Sequence, residues 1–258
     1  MPTPSTLPPE RRPFPEGGNL AFVHIGKTAG TWLREQLSAN FADDEVCPYR
    51  FHGQFSDPAS VRQRYRFFSA HIGYDLADQI ALSKIVVLRD PTERIVSLYN
   101  YWREVVDERP RSGPALAKRH TLAEMAALPE PSVIADFRNA QVWQLAASHD
   151  TATRRRVMAR YGSSAKLLEQ AIEHVNRVAV VGVVEHMPLL AAELRSKLDL
   201  KIDATAKPIN VTVKRTGKDL LDDETLEALA PITALDRRLY RHVMANRILP
   251  HLADVPER

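Results

Sequence analysis

The chain has 258 residues, 44% of them hydrophobic and 26% charged, with a formal net charge of +3. These values describe a soluble globular protein. The single cysteine, Cys47, permits no internal disulfide; no run approaches the roughly 18 apolar residues of a membrane span; and the basic residues form no long stretch. A disulfide scaffold, a membrane-spanning protein and a nucleic-acid binder are therefore not expected. The densest basic cluster, Arg154-Arg155-Arg156, reads as a solvated helix face, and Cys47 lacks metal-ligand spacing around it and reads as a structural thiol.

Residues 1–19 are rich in proline and show no periodicity, so a flexible arm is expected there, followed by one domain over 20–258. LAFVHI (20–25) reads as a buried strand, followed by a loop and a helix from about Thr28 to Asn40. RFFSA (66–70) and KIVVL (84–88) are further strands. Asp90 reads as a helix cap and Pro91 as the first turn of a helix running through TERIVSLYNYWREV, with Ile95, Val96, Leu98, Tyr99 and Trp102 at helical spacing. A helical insertion over roughly 115–176 precedes a fourth strand, VAVVGVV (178–184), and helices are expected near 187–198, 218–229 and 233–246. Short, fully apolar runs alternating with amphipathic helices predict an α/β fold, with a central, mostly parallel sheet flanked by helices in three layers.

In such sheets ligands bind beyond the carboxyl ends of the strands. Three loops are therefore expected to converge: Gly26–Thr31, Ala70–Asp75 and Arg89–Arg94. The first has the composition of an anion site. Gly26 and Gly30 allow close backbone approach, Lys27 brings charge, Thr28 and Thr31 bring hydroxyls, and a helix N-terminus follows. The segment satisfies a loose nucleotide P-loop pattern. Yet Phe-Val-His-Ile before Gly26 reads as strand, so the loop is short and suits one or two phosphate-like groups better than a β,γ-phosphate cradle. A nucleotide kinase or NTPase would also need a metal-binding aspartate, and Asp90 looks like a cap.

FVHIGKTAGTWL (22–33) resembles the FIHIPKTGGTSL-type signature of the carbohydrate sulfotransferases that include the heparan-sulfate 2-O enzymes. IVVLRDPTERIVSLYNYW (85–102) is similar to that family's LRDPVERFLSLYNY segment. Weaker echoes follow in order at RNAQVWQL (138–145), VAVVGVVEHM (178–187), PINVTVKR (208–215) and LDRRLYRHV (235–243). The resemblance implies a P-loop-like fold and the donor 3′-phosphoadenosine-5′-phosphosulfate (PAPS). It implies in-line sulfuryl transfer to an acceptor hydroxyl, with no metal required.

Carried over by position, the resemblance implies that Lys27, with Gly26, Thr28, Ala29, Gly30, Thr31 and Trp32, surrounds the 5′-phosphosulfate. Lys27 neutralises the bridging oxygen as the S–O bond breaks. Arg89 and Ser97 hold the 3′-phosphate, the bland alternative for Arg89 being a salt bridge to Glu93 or Asp90. Lys214 and Arg215 belong to a loop that closes over the nucleotide. SAHIGYDL (69–76) resembles the family's histidine segment and makes His71 the expected general base. His52 is its rival, Glu35 and Asp75 are weaker candidates, and His24 is expected to pack beneath the first loop. The sequence departs from the family at Gly26, usually Pro; at Trp32, usually Ser or Thr; and at Ser69, a second histidine in the 2-O branch. Two other readings stay open: a P-loop kinase or NTPase, and a non-catalytic relative that binds the bisphosphate. The expected acceptor is a small molecule or glycan met through residues 41–65 and 103–176, with Tyr74, Tyr101, Trp102 and Trp143 as candidate stacking faces. A cytoplasmic, bacterial-type enzyme is expected.

Overall fold

Four short apolar runs pair into one parallel sheet. They are β1 (Leu20–Val23), β2 (Phe67–Ala70), β3 (Ser83–Leu88) and β4 (Val180–Val183), in the order β2-β1-β3-β4. The computed structural model describes residues 18–105, 107, 109–147, 162–203 and 218–252. Most of the expected arm, the Arg154–Arg156 cluster, and Lys214 and Arg215 lie outside the described residues.

The helices, in chain order, are α1 (Gly30–Ser38), α2 (Pro58–Arg64), α3 (Tyr74–Ile80), α4 (Pro91–Glu104), α5 (Gly113–Ala117), α6 (Leu122–Ala127) and α7 (Pro131–Phe137). They continue with α8 (Ala140–Ala146), α9 (Ser164–Arg177), α10 (Met187–Leu198), α11 (Asp223–Ile232), α12 (Ala234–Val243) and α13 (Leu249–Leu252). Local chemistry sets several starts. Asp57 caps α2 and Asp90 caps α4, each followed by proline at the first helical position, while Thr121 and Glu124 form a capping box on α6.

The strands are buried on both faces, which is why they read as continuous apolar runs rather than alternating ones. Leu20, Phe22, Ile85, Val87 and Val180 turn to one side, where they meet Leu33 and Leu37 of α1 and Leu190, Leu194 and Leu198 of α10. Ala21, Val23, Val86, Leu88, Val181 and Val183 turn to the other and meet α3, α8, α9 and α12 through residues such as Leu76, Val142, Ala171 and Leu239. Three layers result. A third cluster joins α4, α5, α6, α7 and α11 through Ile95, Trp102, Leu116, Met125, Phe137 and Leu229, with no strand residue in it.

Several expectations shift. β1 stops at Val23, so His24 and Ile25 belong to the loop, and α1 begins at Gly30 rather than Thr28. Among the described residues the insertion begins as short helices broken by Leu128, Pro131 and Asn139 and ends in the 14-residue α9. The helix expected at 218–229 is a 3₁₀ turn followed by α11, and α12 runs into a π-helical turn at Met244–Ile248.

The first chain crossover leaves β1 toward β2, and the later one leaves β3 toward β4, so the chain diverges between β1 and β3. That divergence opens a crevice at the carboxyl ends of these two central strands.

Candidate active site

The loop after β1 is built around two left-handed residues. Lys27 has φ 70° and Ala29 has φ 60°. Such a conformation costs a non-glycine residue about 1–2 kcal/mol, and it persists only where the surroundings enforce it. The enforcement is visible. Thr28, fully buried, donates its hydroxyl to the Ile25 carbonyl at 3.0 Å. Arg94 Nη1 donates to the Gly26 carbonyl at 3.3 Å, and Arg89 Nη1 donates to the Lys27 carbonyl at 3.4 Å. The Lys27 ammonium stands 4.2 Å from the centre of the Tyr101 ring on α4.

Ala29 precedes α1 without a side-chain cap. The first amides of α1, at Gly30, Thr31 and Trp32, have no intrahelical carbonyl to bond and face the positive end of the helix dipole. Thr31 is exposed beside them. Trp32 offers its backbone only: its indole is buried among Leu33, Leu37 and Phe41, and Nε1 has no hydrogen-bond partner there. The Trp32 side chain is thus a core residue, and only its backbone amide is left to meet a ligand. The Thr28 hydroxyl hydrogen is likewise committed within the turn.

Gly30 is fixed by a neighbour. A Cβ on it would lie 1.8 Å from Nε2 of His24, so the ring of His24 occupies the place a side chain would take. His24 does pack beneath the loop, and it is one of four rings in a row. Phe22 lies 5.5 Å from His24, His24 lies 4.1 Å from His71, and His71 lies 5.8 Å from Phe51, with interplanar angles of 13°, 28° and 18°. The row runs from the sheet interior to the surface. Phe22 is wholly buried, both histidines are partly buried, and Phe51 is exposed. Phe51 arrives on an extended segment that runs beside β2, where the His71 amide donates to the Arg50 carbonyl at 2.8 Å.

Burial holds the His24 imidazole well below its ordinary pKa, and the adjacent His71, Arg34, Arg50 and Lys27 push the same way. His24 is therefore neutral at neutral pH. Ser69, where a second histidine was considered, is buried on β2 with no partner for its hydroxyl. The partner ring of His71 comes from the end of β1 instead.

Arg89 begins the third loop. Its Nη2 pairs with Glu93 Oε2 at 3.1 Å while Nη1 holds the Lys27 carbonyl. Ser97 lies two turns into α4 and is partly buried. Of the other candidates, His52 and Glu35 are exposed, Asp75 is exposed in the first turn of α3, and Tyr74 and Trp102 are buried. Tyr101 keeps an exposed face. Cys47 is buried, and burial raises its thiol pKa, as expected of an inert structural thiol.

Three residues at the crevice were not singled out from sequence. Arg94 is fully buried, and besides Gly26 it donates from Nη2 to the Asp136 carbonyl at the end of α7. Gln141 and Gln144 on α8 bond the loop backbones directly. A signal existed: Arg94 falls in the apolar 91-94-95-98-102 stripe of α4, and both glutamines fall on the buried side of α8. A polar residue at such a position needs a buried partner.

Among the described residues no helix is long and apolar enough to cross a membrane, and no three metal-ligating side chains are grouped to hold an ion. No protein-family model matches the chain, and no curated protein matches it. Among solved structures the chain is similar to mouse sulfotransferase SULT7A1 complexed with PAP, at 14% sequence identity and a TM-score of 0.41, over 92% of this chain and 87% of that one.

Proposed function

We propose that the chain is a PAPS-dependent sulfotransferase acting on the hydroxyl of a small molecule or glycan, as its two motifs imply. The observation that carries the reading is the meeting of Lys27 and Arg89 across the crevice between β1 and β3, joined by the 3.4 Å bond from Arg89 Nη1 to the Lys27 carbonyl. The two motifs that carry the family resemblance therefore touch at a switch point suited to a ligand.

The residues present fit the donor. The α1 amides have no cap, two cations border the loop, and nothing stands within 4 Å of where a Gly26 side chain would begin. When bound, the donor supplies an activated sulfuryl group on a 5′-phosphate. In this reading the amides of Gly30, Thr31 and Trp32 and the Lys27 ammonium hold that end, and Lys27 offsets charge on the departing oxygen. Arg89 exchanges its Glu93 partner for the 3′-phosphate, with Ser97 beside it; Lys214 and Arg215 complete the donor site. His71 takes the acceptor's proton. Its ring stacks with those of His24 and Phe51, which fix its plane. A cytoplasmic, bacterial-type setting accords with this reading.

The test is calorimetric titration with adenosine 3′,5′-bisphosphate, with ATP and Mg²⁺ as the comparison. Bisphosphate binding that is lost in Lys27→Ala and Arg89→Ala is expected. Binding of ATP with Mg²⁺ and none of the bisphosphate would overturn the reading in favour of a nucleotide P-loop protein.

A further inference from the structure

Helix α8 carries two glutamines three residues apart, Gln141 and Gln144, exposed by 0% and 1%. Each grips a different part of the crevice. Gln141 brackets Arg89: its Oε1 accepts from the Arg89 amide at 3.1 Å and its Nε2 donates to the Arg89 carbonyl at 3.0 Å. Gln144 uses one Nε2 for two carbonyls, His24 at 2.9 Å and Ile72 at 2.9 Å. Those carbonyls belong to His24 itself and to the residue after His71, so one amide fixes the backbone on both sides of the histidine pair.

The helix is itself anchored. Asp236 on α12 accepts from the amides of Gln141 at 3.3 Å and Val142 at 2.8 Å, and Asn139 Oδ1 accepts from the amides of Leu235 and Asp236. Two carboxylate oxygens at a helix N-terminus satisfy amides that the helix cannot. The glutamines therefore hold the loops against a fixed support.

We propose that Gln141 and Gln144 are positioning residues that divide the reaction between them. Gln141 sets Arg89 and hence the grip on the donor's 3′-phosphate. Gln144 sets the His24–His71 stack and hence transfer of the acceptor proton. A primary amide is needed at both places. Gln144 uses its two N–H groups at once and Gln141 uses an N–H and its oxygen, so neither a carboxylate nor an apolar side chain can replace them. The inference rests on the sulfotransferase reading and deepens it.

The test compares Gln141→Met with Gln144→Met, two equally buried changes, by two measurements. One is calorimetry with adenosine 3′,5′-bisphosphate. The other is proton NMR of the His71 ring resonance across pH, assigned with His71→Asn. Gln141→Met should weaken bisphosphate binding by about tenfold, the scale of one well-placed hydrogen bond, and leave the His71 titration unchanged. Gln144→Met should do the reverse. If it fails to fold, Gln144→Asn, one methylene too short to span both carbonyls, carries the comparison. Equal effects of both variants on both measurements, or no effect on either, would overturn the division. If the wild-type chain does not bind the bisphosphate, the sulfotransferase reading falls and the Gln141 half falls with it. The NMR arm still decides the Gln144 half.

Discussion

The His24 ring lies 4.1 Å from the His71 ring, and the Phe51 ring follows at 5.8 Å from His71. His24 comes from the end of β1 and His71 from the end of β2, strands paired in parallel register at Val23 and Ala70. Strand pairing therefore sets the ring pair, and substituting either ring should have a distinct signature.

Replacing His71 by Ala should leave bisphosphate affinity nearly unchanged and slow sulfuryl transfer by about a hundredfold or more, the range for a lost general base. Calorimetry and a single-turnover transfer assay make the comparison. Loss of both properties, or of neither, would count against the base role, and bisphosphate binding with no transfer by the wild-type chain would identify a protein that binds without catalysing.

Gly30→Ala should destabilise the fold by about 2 kcal/mol, because the new Cβ meets the His24 ring and neither the β1 end nor the α1 start can retreat freely. The double variant with His24→Ala should recover part of that loss, since the obstructing ring is gone. Urea unfolding of the two single variants and the double variant reads the coupling; additive effects would show that the contact is not the cause.

Acid should unfold the chain in a window set by buried histidines. Burial is the main cause lowering His24 and His174; His174 is also stacked on Tyr74 and bonded through Nδ1 to the Leu145 carbonyl at 2.7 Å. In the unfolded chain each takes a proton near pH 6.5, while in the folded chain each takes it lower. The unfolded state thus binds more protons below that point, and stability falls as pH drops from about 6.5 toward the folded values, by at most about 1.4 kcal/mol per pH unit for each ring. Unfolding free energies measured from pH 7.5 to 5 should show this slope, and His24→Phe should reduce it.

Arg94→Ala should cost about 3 kcal/mol, from a large cavity and two carbonyls left without their donor. It should also weaken bisphosphate binding, because Gly26 loses the contact that supports the left-handed turn at Lys27. Unfolding and calorimetry on the same preparation test both effects. Unchanged affinity in a destabilised variant would confine Arg94 to stability.

The strands were legible because burial on both faces leaves a plain apolar run, and Asp90-Pro91 announced α4 through cap and proline chemistry. α2 and α3 were not anticipated, although Asp57-Pro58 carries the same cap signal as Asp90-Pro91. At the site, residue types at a strand–helix junction pointed to Lys27 and Arg89. The supports did not show, because their partners are remote: Gln144 bonds a carbonyl 120 residues earlier, and Arg94 one 68 residues earlier. The Trp32 side chain was ambiguous for a different reason, its neighbours being local. Its position in the motif concerns its backbone amide, while its indole is claimed by packing against Leu33, Leu37 and Phe41.

The third apolar cluster contains no strand residue and meets the crevice through α4, the helix that bears Arg94, Ser97 and Tyr101. Substitutions within α5, α6 and α7 therefore repack a core that shares few side chains with the sheet, and distant, independent sites combine nearly additively. Such an arrangement lets the α5–α7 cluster vary while the sheet and its loops stay constant. Under the proposed sulfotransferase reading, a lineage built on this chain could change its acceptor without renegotiating how the donor is held.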